Sequence, residues 1–537
     1  MSARFRSLLG LTVLSSILFG CIGLLQAAEI VTYPYLGITY IKRTETSPRN
    51  MNINIMKIDL TAPGLGFKLS PPGGTRDTVR QTTLNYLTAQ LAQVAMNIHF
   101  FLPCCPAGDL NADLIGFAAS NGNVFSPFEL PTQNYALVRD APAVNIDPAN
   151  HASIVTAAPG FSDGTCLLCG VNDGIHINES VTLWNTVSGS AQIVTNGVQS
   201  LPCYVDATHP DCKLVGPGPA MYSNANSWYN LINARAAAGI SQDGNTLFLF
   251  TVDAAGGSAG MRVGEVADML ISYGAYNALN LDGGGSTSMA MQNPLTLVRS
   301  LLNVPSGAPR LVGTSLAVFA AADVTAPSTT ATVAPTPNGD GWNKTNVTVT
   351  LDATDNAGGH VKQIEYSLAG AQTLASQVVA GSTTSFPITA EGVTTVTYFA
   401  KDVSPAQNTE TAHALPVKID KTLPAISGMP GANCKVWPVD NKMVSVATIS
   451  ASDALSGLGP DALSVTGTSN EPTDPAEPDI LVTSDGSGGF TVELRAKRLG
   501  QETGRTYTLT ATATDIAGNV RTSTSTCTVP HDMGKNP

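Results

Sequence analysis

Apolar and polar residues alternate strictly along the C-terminal part of the chain. Two stretches show the alternation best, VTVTLDAT at 347–354 and YTLTATAT at 507–514. A period of two with many β-branched residues predicts half-buried β-strands. Each stretch ends in turn-forming residues, at 355–359 and 515–519. The C-terminal part is therefore predicted to be built of antiparallel sheets.

The N-terminal part mixes two kinds of periodicity. Apolar runs of strand length occur at 56–60, 94–101 and 247–252. Between 263 and 273 the apolar residues instead fall on one face of a helix, which Gly274 would end. Because strands and helices mix without a regular βαβ rhythm, we predict an α+β catalytic domain of mixed sheets and helices.

A repeated linker pattern divides the chain. The pattern D-x-T-x-P opens at Asp323 and again at Asp420, and each copy begins a segment of about 100 residues, the size of an immunoglobulin-like (Ig-like) sandwich. We predict a signal peptide at 1–28, the α+β domain at 29–322, and two all-β Ig-like sandwiches at 323–420 and 421–537.

The N-terminus has the character of an export signal. Arg4 and Arg6 precede an uncharged run at 7–28. This pattern predicts a signal peptide cleaved near Ala28, and hence a secreted or cell-envelope protein, with a bacterial periplasmic or extracellular location. Two alternatives stay open: a lipid anchor at Cys21, and an uncleaved membrane helix.

The cysteines agree with export. The chain has nine, and an even number lies outside the signal, which favours disulfides. Cys166 and Cys169 have the spacing of half a zinc site, but no second half is evident. Cys434 and Cys527 could join the first and last strands of the second sandwich.

Charge excludes one class of partner. The net charge is -12 and only 13% of residues are charged, so no basic stripe exists that would bind nucleic acid.

The sandwich modules are candidates for holding cell-wall glycan, although Trp342 and Trp437 are more typical of core or rim positions than of a sugar platform.

The strongest chemical candidate is the stretch NLDGGGS at 280–286. Asp282 ends an apolar strand, and Gly283, Gly284 and Gly285 lead to Ser286. Successive backbone N–H groups beside a hydroxyl can form a nest for phosphate or sugar oxygens. The alternative is a glycine turn in which Asp282 caps its own backbone.

Two further carboxylates are catalytic candidates. Asp253 ends another apolar strand beside glycines, and glycoside cleavage commonly uses a pair of carboxyl groups. Glu265 lies in the first turn of the predicted helix, where a surface carboxylate is favoured by the helix dipole. For each of them a purely structural role is the alternative.

Three other polar residues are candidates for binding or proton transfer. Arg235 could clamp a phosphate or form a structural ion pair. Asn97 interrupts an apolar strand and, if buried, must find partners in a network or a ligand. His99 is a candidate proton shuttle, with a structural role as the alternative.

Several of these stretches together resemble the phosphodiester glycosidase family. The most specific is LNLDGGGS at 279–286, and the supporting ones, in the same order, are 95–101, 187–197, 235–240, 260–267 and 306–312. The resemblance covers about 50–320.

The resemblance implies hydrolysis of an N-acetylglucosamine-like sugar-1-phosphodiester to free sugar and phosphomonoester. It also assigns roles to individual residues, and it implies no cofactor; a divalent metal at Asp282 is compatible with the sequence but not demanded by it. The implied catalytic residues are Asp282, Glu265 and Asp253, and the implied substrate-binding residues are Asn97, Arg235, Gly283, Gly284, Gly285 and Ser286.

Two functions of other classes remain as alternatives. The N-terminal domain could be a glycosidase acting on a non-phosphorylated exported or cell-wall polysaccharide. The chain could also be a non-enzymatic cell-surface protein that binds glycan.

Overall fold

A computed structural model describes residues 27–104, 108–128, 137–158, 177–212, 214, 223–224, 226–500 and 504–531. The chain divides into two compact units, unit 1 (Met1–Ala322) and unit 2 (Asp323–Pro537). Within the described ranges, no helix has the length and apolar character needed to span a bilayer. Most of the predicted signal peptide, with Cys21, lies outside the described residues, as do Cys166 and Cys169.

Unit 1 is made of short strands with two α-helices among its described residues. The helices are α1 (Thr83–Gln90) and α2 (Val263–Ser272), and two 3₁₀ turns lie at Trp228–Asn230 and Gly284–Ser286. The strands are β1 (Ala27–Tyr35), β2 (Ile38–Glu45), β3 (Met51–Asp59), β4 (Gly66–Leu69), β5 (Pro72–Gly73), β6 (Arg76–Val79), β7 (Val94–Asn97), β8 (Phe100–Leu102), β9 (Asn111–Ile115), β10 (Ala118–Ser120), β11 (Asn123–Ser126), β12 (Ala143–Ile146), β13 (Ala152–Val155), β14 (Asn185–Ser188), β15 (Ala191–Thr195), β16 (Val198–Gln199), β17 (Arg235–Ile240), β18 (Thr246–Val252), β19 (Asn277–Asn280), β20 (Met289–Gln292), β21 (Arg299–Leu301) and β22 (Ser315–Phe319).

The strands of unit 1 form four antiparallel sheets. Sheet A has the order β1-β2-β3-β18-β17-β19-β15-β16, and sheet B has the order β21-β20-β7-β22-β4. The other two sheets have the orders β11-β10-β14-β12-β13 and β5-β6-β9-β8. This antiparallel arrangement lets strands far apart in sequence, such as β3 and β18, lie side by side.

The predicted α+β class for the N-terminal domain is wrong. Helix makes up 5% of the chain and strand 51%, so unit 1 is a β structure that carries two short helices. The prediction took the helical periodicity around 263–273 as evidence for a whole layer of helices. The strands instead pack mostly against other strands, and α2 covers only part of one sheet.

The central strands of sheet A, β17, β18 and β19, are buried on both faces, and this determines their sequence. On one face Met56, Leu249 and Leu279 pack in a core shared with Met96 and Leu316 of sheet B. On the other face, residues of β3 and β18 pack with the apolar side of α2. Strands covered on both sides read as continuous apolar runs rather than as alternating ones. The polar residues at the strand ends therefore stand out as candidates for function.

Unit 2 contains two separate β-structured cores. The first core lies among sheets with the orders β23-β25-β28 and β24-β30-β29-β26-β27, and the second among β31-β33-β36-β35 and β32-β38-β37-β34. The strands are β23 (Ser328–Ala334), β24 (Trp342–Asn343), β25 (Val347–Thr354), β26 (Val361–Gly370), β27 (Leu374–Ala380), β28 (Thr383–Ile388), β29 (Gly392–Asp402), β30 (His413–Ile419), β31 (Ala425–Ser427), β32 (Cys434–Lys435), β33 (Met443–Ser452), β34 (Leu458–Ser469), β35 (Ile480–Ser484), β36 (Phe490–Arg495), β37 (Gly504–Asp515) and β38 (Val520–Pro530).

This all-β architecture fits the two appended sandwich modules. The alternation predicted from the sequence is present: 347–354 alternates mainly between buried and exposed positions, and 507–514 between buried and half-buried ones. A disulfide joins Cys434 on β32 to Cys527 on β38, and another joins Cys203 to Cys212 in unit 1. The domain bounds given above stay a prediction.

A buried ion network stabilises the second core of unit 2. The Arg505 guanidinium, 1% exposed, lies 3.0 Å from a Glu471 oxygen and 2.6 Å from an Asp479 oxygen. Both carboxylates are themselves buried. Glu471 depends on this cation for compensation of its charge, while Asp479 also has the Arg495 guanidinium 3.6 Å away.

We expect Arg505→Met to lower the free energy of unfolding of unit 2 by about 3–5 kcal/mol, because the buried Glu471 would lose its cation and the buried Asp479 would lose the nearer of its two. Chemical denaturation of the full chain, followed by circular dichroism, measures the change. Arg521→Met is the matched control, since Arg521 is exposed. An effect of Arg505→Met no larger than that of the control would contradict this account.

Candidate active site

The stretch NLDGGGS forms the crossing between the two main sheets of unit 1. Strand β19 of sheet A ends at Asn280, and strand β20 of sheet B begins at Met289. Between them, residues 282–288 form a segment that we call the glycine loop. The Asp282 N–H donates to the Ile98 carbonyl at 2.9 Å, and the Gly284 N–H donates to the Ala234 carbonyl at 2.8 Å. The loop is thus fixed to both sheets by its own backbone.

A different structural feature explains why glycine occupies each of the three positions 283, 284 and 285. Gly284 has a φ of +57°, a backbone conformation that side chains disfavour. A Cβ on Gly283 would lie 2.9 Å from the Ala234 carbonyl oxygen, and one on Gly285 would lie 2.4 Å from Nη2 of Arg310. Close approach of the backbone therefore requires glycine at 283, and a side chain at 285 would displace the Arg310 guanidinium.

Asn97 clamps the two ends of the glycine loop together. Its Nδ2 donates to the Asp282 carbonyl at 2.7 Å, and its Oδ1 accepts from the Ser288 N–H at 2.8 Å. Asn97 is fully buried at the end of β7. The structure thus gives Asn97 a role in holding the loop, while the predicted contact to substrate stays a prediction.

A second clamp holds the C-terminal end of the glycine loop. The buried Asn303 donates to the Thr287 carbonyl at 3.0 Å and accepts from the Met289 N–H at 2.8 Å.

Behind Asn303 lies Asp253, 2% exposed, whose Oδ2 accepts from the Val304 N–H at 3.0 Å. Burial raises the pKa of Asp253 to about 6, although the bonds from Val304 and Asn303 oppose the rise.

One cavity opens directly beside the glycine loop. Its volume is about 240 Å³. Asp282 is the one carboxyl among its lining residues, and Arg310 is the one cation. The lining residues are Phe100, Phe101, Cys104, Trp228, Asn233, Asp282, Gly283, Gly284, Gly285 and Arg310. Among its described lining residues the cavity thus combines aromatic walls with one carboxyl and one guanidinium cation, an arrangement typical of small-molecule sites.

The Asp282 carboxyl is the most strongly perturbed group of the cavity. Burial raises its pKa to about 7. Three partners act in the opposite direction: the Ser286 hydroxyl, the positive charge of Arg310 and the Gly283 N–H. A carboxyl with a pKa near neutrality can change its protonation state during a reaction, which is a frequent property of catalytic groups.

Ser286 connects Arg310 to this carboxyl. Nη1 of Arg310 donates to Oγ of Ser286 at 3.1 Å. Because a hydroxyl carries one hydrogen, Ser286 accepts from Arg310 and has its own proton available for Asp282, and this hydroxyl acts to lower the Asp282 pKa. The sequence reasoning assigned Ser286 to this site but gave Arg310 no role, although Arg310 lies within the stretch 306–312 that contributed to the family resemblance.

Arg235, predicted to bind substrate, lies outside the residues that line the cavity. It is 1% exposed, and its guanidinium donates to the backbone carbonyls of Met261, Trp228 and Leu231. The guanidinium also lies 5.0 Å from the centre of the Trp228 ring, which is part of the cavity wall. Arg235 therefore supports the wall from behind, and its predicted contact to phosphate stays a prediction.

Glu265, predicted to be catalytic, also lies outside the cavity lining. It forms an ion pair with Arg49, and its carboxylate accepts from the Arg262 N–H at 2.7 Å at the start of α2. Burial acts to raise the pKa of Glu265, but the bonds from Arg49 and Arg262 outweigh it and leave the pKa below its ordinary value. These contacts fix the helix start.

The backbone N–H groups of the glycine loop are mostly used within the protein. Gly284 donates to Ala234, Ser286 donates to Gly283, and the Gly283 N–H bonds the Asp282 carboxyl. Among the described residues, the Gly285 N–H alone of these four has no hydrogen-bond partner. The predicted nest is thus reduced to one backbone donor beside the Arg310 guanidinium.

His99 is fully buried between neutral partners. Its Nδ1 lies 2.8 Å from Oγ1 of Thr314, and its Nε2 accepts from the Ser188 N–H at 3.1 Å. Burial lowers the pKa of His99 to about 4, so the ring is neutral at physiological pH. These contacts favour the structural alternative over proton transfer.

Potential metal ligands do not gather around Asp282. Among the described residues, groups of three such side chains occur twice, both in unit 2: Asp323, Asp355 and Asp402, and Asp420, Asp453 and Asp515. Neither group includes Asp282, and the mechanism proposed below uses no metal.

Residues 120–319 match the model of a known protein family. The matching family is the phosphodiester glycosidases. The match confirms the resemblance read from the sequence, and it includes the whole glycine loop and Arg310. Asn97 and the two C-terminal modules lie outside the matched range.

Two curated relatives are similar to part of the chain. The chain is similar to the N-acetylglucosamine-1-phosphodiester alpha-N-acetylglucosaminidase of Mus musculus, with 27% identity over 158 residues, 25% of this chain and 30% of the relative. The enzyme of the same name from Bos taurus is 37% identical over 70 residues, 13% of each chain. The chain thus spans less than a third of the length of these relatives.

Two solved structures are also similar to part of the chain. One is the zebrafish N-acetylglucosamine-1-phosphodiester alpha-N-acetylglucosaminidase catalytic domain auto-inhibited by its pro-peptide, with 19% identity and a TM-score of 0.36, covering 55% of this chain and 83% of that one. The other is a hypothetical protein from Synechocystis, with 18% identity and a TM-score of 0.33, covering 53% and 62%.

We expect Asn97→Ala to destabilise unit 1, because the Ser288 N–H and the Asp282 carbonyl would each lose a buried partner at a cost of roughly 1–3 kcal/mol. Denaturation of the full chain, together with hydrogen exchange at the Ser288 amide, measures the change. Asn85→Ala, on the exposed side of α1, is the control and should shift stability by about 0.5 kcal/mol or less. Equal effects of the two variants would show that Asn97 does not hold the loop.

Proposed function

We propose that unit 1 is a hydrolase that cleaves an N-acetylglucosamine-like sugar-1-phosphodiester to free sugar and phosphomonoester. The observation that carries the proposal is the meeting of Asp282 and Arg310 in one cavity, inside the range that matches the phosphodiester glycosidases. The carboxyl suits reaction at an anomeric carbon, and the guanidinium suits an anionic leaving group.

Asp282 would act in its ionised form. Phosphate is a good leaving group, so the C–O bond to the sugar can break without a strong general acid. The reaction needs instead a negative group near the oxocarbenium-like carbon, as base for water or as nucleophile. Ser286 and Arg310 stabilise the carboxylate against its burial and make this form accessible near neutral pH.

The cavity walls would bind and shield the sugar. Phe100, Phe101 and Trp228 present aromatic surface, onto which the apolar face of a pyranose can pack, and Asn233 adds an amide for its hydroxyls. Exclusion of water by such walls strengthens the electrostatic interactions inside the cavity. Arg235 would contribute by holding Trp228 in place.

Asp253 and Glu265 would serve the reaction indirectly. Asp253 supports the segment that clamps the end of the glycine loop, and Glu265 fixes the start of α2. Asp282 is the catalytic carboxylate of the proposed mechanism.

We also propose export and a glycan-binding role for the C-terminal modules. The Cys203–Cys212 and Cys434–Cys527 disulfides support an oxidising compartment. The modules would hold the enzyme on cell-wall glycan. Pull-down of the full chain by purified cell wall, compared with the chain truncated after residue 322, tests this second role.

Asp282→Asn should lower kcat/KM for an α-N-acetylglucosamine-1-phosphodiester by about a thousandfold or more, since the variant loses the group that acts at the anomeric carbon. Release of free sugar by the full chain measures it. Near-normal turnover by the variant would refute the role of Asp282. Equal hydrolysis of a glycan without phosphate would favour the ordinary glycosidase, and binding without turnover would favour the glycan-binding protein.

The pH profile distinguishes the roles of this carboxyl. Because burial raises the pKa of Asp282 to about 7, an ionised carboxylate predicts that kcat/KM rises with pH and levels off above about 7. A general acid predicts the reverse, with activity lost as pH rises through the same value. Initial rates between pH 5 and 9, at substrate concentrations well below KM, decide between them.

A further inference from the structure

We propose that Arg310 is the phosphate-recognition residue of this site and determines its preference for a phosphodiester over a neutral glycoside. The inference rests on the proposed function and extends it to specificity. It assigns to Arg310 the role that the sequence suggested for Arg235.

The first argument is that most N–H donors of the Arg310 guanidinium have no partner within the described part of the chain. Nη1 donates to Ser286, and within the described part of the chain Arg310 forms no ion pair with any carboxylate. A guanidinium carries five N–H donors in a planar fork that matches the oxygens of phosphate. Most of these donors therefore stay free for a ligand in the cavity that Arg310 lines.

Arg235 differs on each of these points. Three backbone carbonyls accept from its guanidinium, which lies against the Trp228 ring and outside the cavity lining. A buried arginine that already bonds the backbone has less to offer a substrate anion. The two arginines thus have separate tasks, support of the wall for Arg235 and contact with the ligand for Arg310.

The second argument is the glycine beneath the guanidinium. A Cβ on Gly285 would lie 2.4 Å from Nη2 and 2.8 Å from Cζ of Arg310, so any side chain at this position would displace the guanidinium. The φ of Gly285 is not in the left-handed region, so backbone conformation does not require glycine here. The absence of a side chain at 285 is instead what allows Arg310 to approach this closely, next to the unpartnered Gly285 N–H. A cation and a backbone donor side by side suit an anionic oxygen.

The third argument is the position of this charge relative to Asp282. Arg310 reaches the carboxyl through Ser286 rather than by direct contact, so it stabilises the carboxylate without being neutralised by it. As the bond to the sugar breaks, negative charge grows on the departing phosphate. An interaction that strengthens in the transition state raises the rate, so Arg310 would contribute to turnover as well as to binding.

The test compares two substrates that share the sugar. One is an N-acetylglucosamine-1-phosphodiester, and the other is the aryl glycoside of the same sugar with the same anomeric configuration, whose aglycone is uncharged before cleavage and carries no phosphate. For the full chain, Arg310→Gln should lower kcat/KM on the phosphodiester by about 100- to 1,000-fold. On the aryl glycoside the change should be about threefold or less. Arg310→Lys should recover part of the loss, because it keeps the charge but not the fork.

Binding of inorganic phosphate gives a readout independent of the aryl substrate. Phosphate should inhibit the unsubstituted protein competitively, and the Arg310→Gln variant should need at least tenfold more phosphate for the same inhibition. Inhibition by free N-acetylglucosamine should be unchanged. Gly285→Ala should shift both readouts in the same direction, and Arg139→Gln, at a surface position where the side chain is 58% exposed, should shift neither.

The outcomes separate this inference from the proposed function. Lack of phosphodiester turnover by the unsubstituted protein would overturn the proposed function, and the inference with it. Phosphodiester turnover that Arg310→Gln leaves intact would overturn the inference alone. Equal losses on both substrates, with unchanged inhibition by phosphate, would also overturn it, since Arg310 would then act only by positioning the loop.

Discussion

Burial of the Asp282 carboxyl is the constraint on which the rest of the site depends. Removing an ionised group from water is costly, and the rise of its pKa to about 7 expresses this cost. A carboxyl placed at the surface would ionise freely but would interact weakly with a substrate surrounded by water. The protein keeps Asp282 buried and offsets part of the cost with one hydroxyl, one N–H group and one nearby cation.

That offset works only if the glycine loop stays in one conformation. Two buried asparagines, Asn97 and Asn303, hold the backbone on either side of the loop. Both receive their positions from strands or segments of the packed sheets, so the rigidity of the core extends to the site. The arrangement is typical of functional loops, which need freedom in sequence and support from the scaffold.

The sequence singled out Asp282 and its glycines, which line the cavity, but it gave no role to Arg310, which lines the cavity as well. NLDGGGS identified Asp282 and its glycines because an acid at a strand end followed by three glycines has few ordinary explanations. Arg235 and Arg310 could not be ranked in the same way. Which of them lines the cavity depends on how β17 is placed between its neighbours and on contacts with backbone carbonyls, and neither is visible in residue types.

The fold class was missed for a related physical reason. The periodicity at 263–273 is genuinely helical, and α2 exists there. One helix, however, does not make a helical layer, and the pairing of distant strands such as β3 and β18 leaves no local signal in the sequence. The strands of unit 2 were predicted more securely, because one of their faces meets solvent and the alternation is visible.

The disulfide between Cys434 and Cys527 has a mechanical consequence. It links β32, the second strand of this module, to β38, its last strand, and the two are neighbours in one sheet. If the chain is pulled from both ends, as happens when a protein is tethered at one side and drawn at the other, the covalent bond carries the tension. The segment between the two cysteines, which are 93 positions apart, is then shielded from stretching. The part of the module between Cys434 and Cys527 therefore does not lengthen when the chain is pulled.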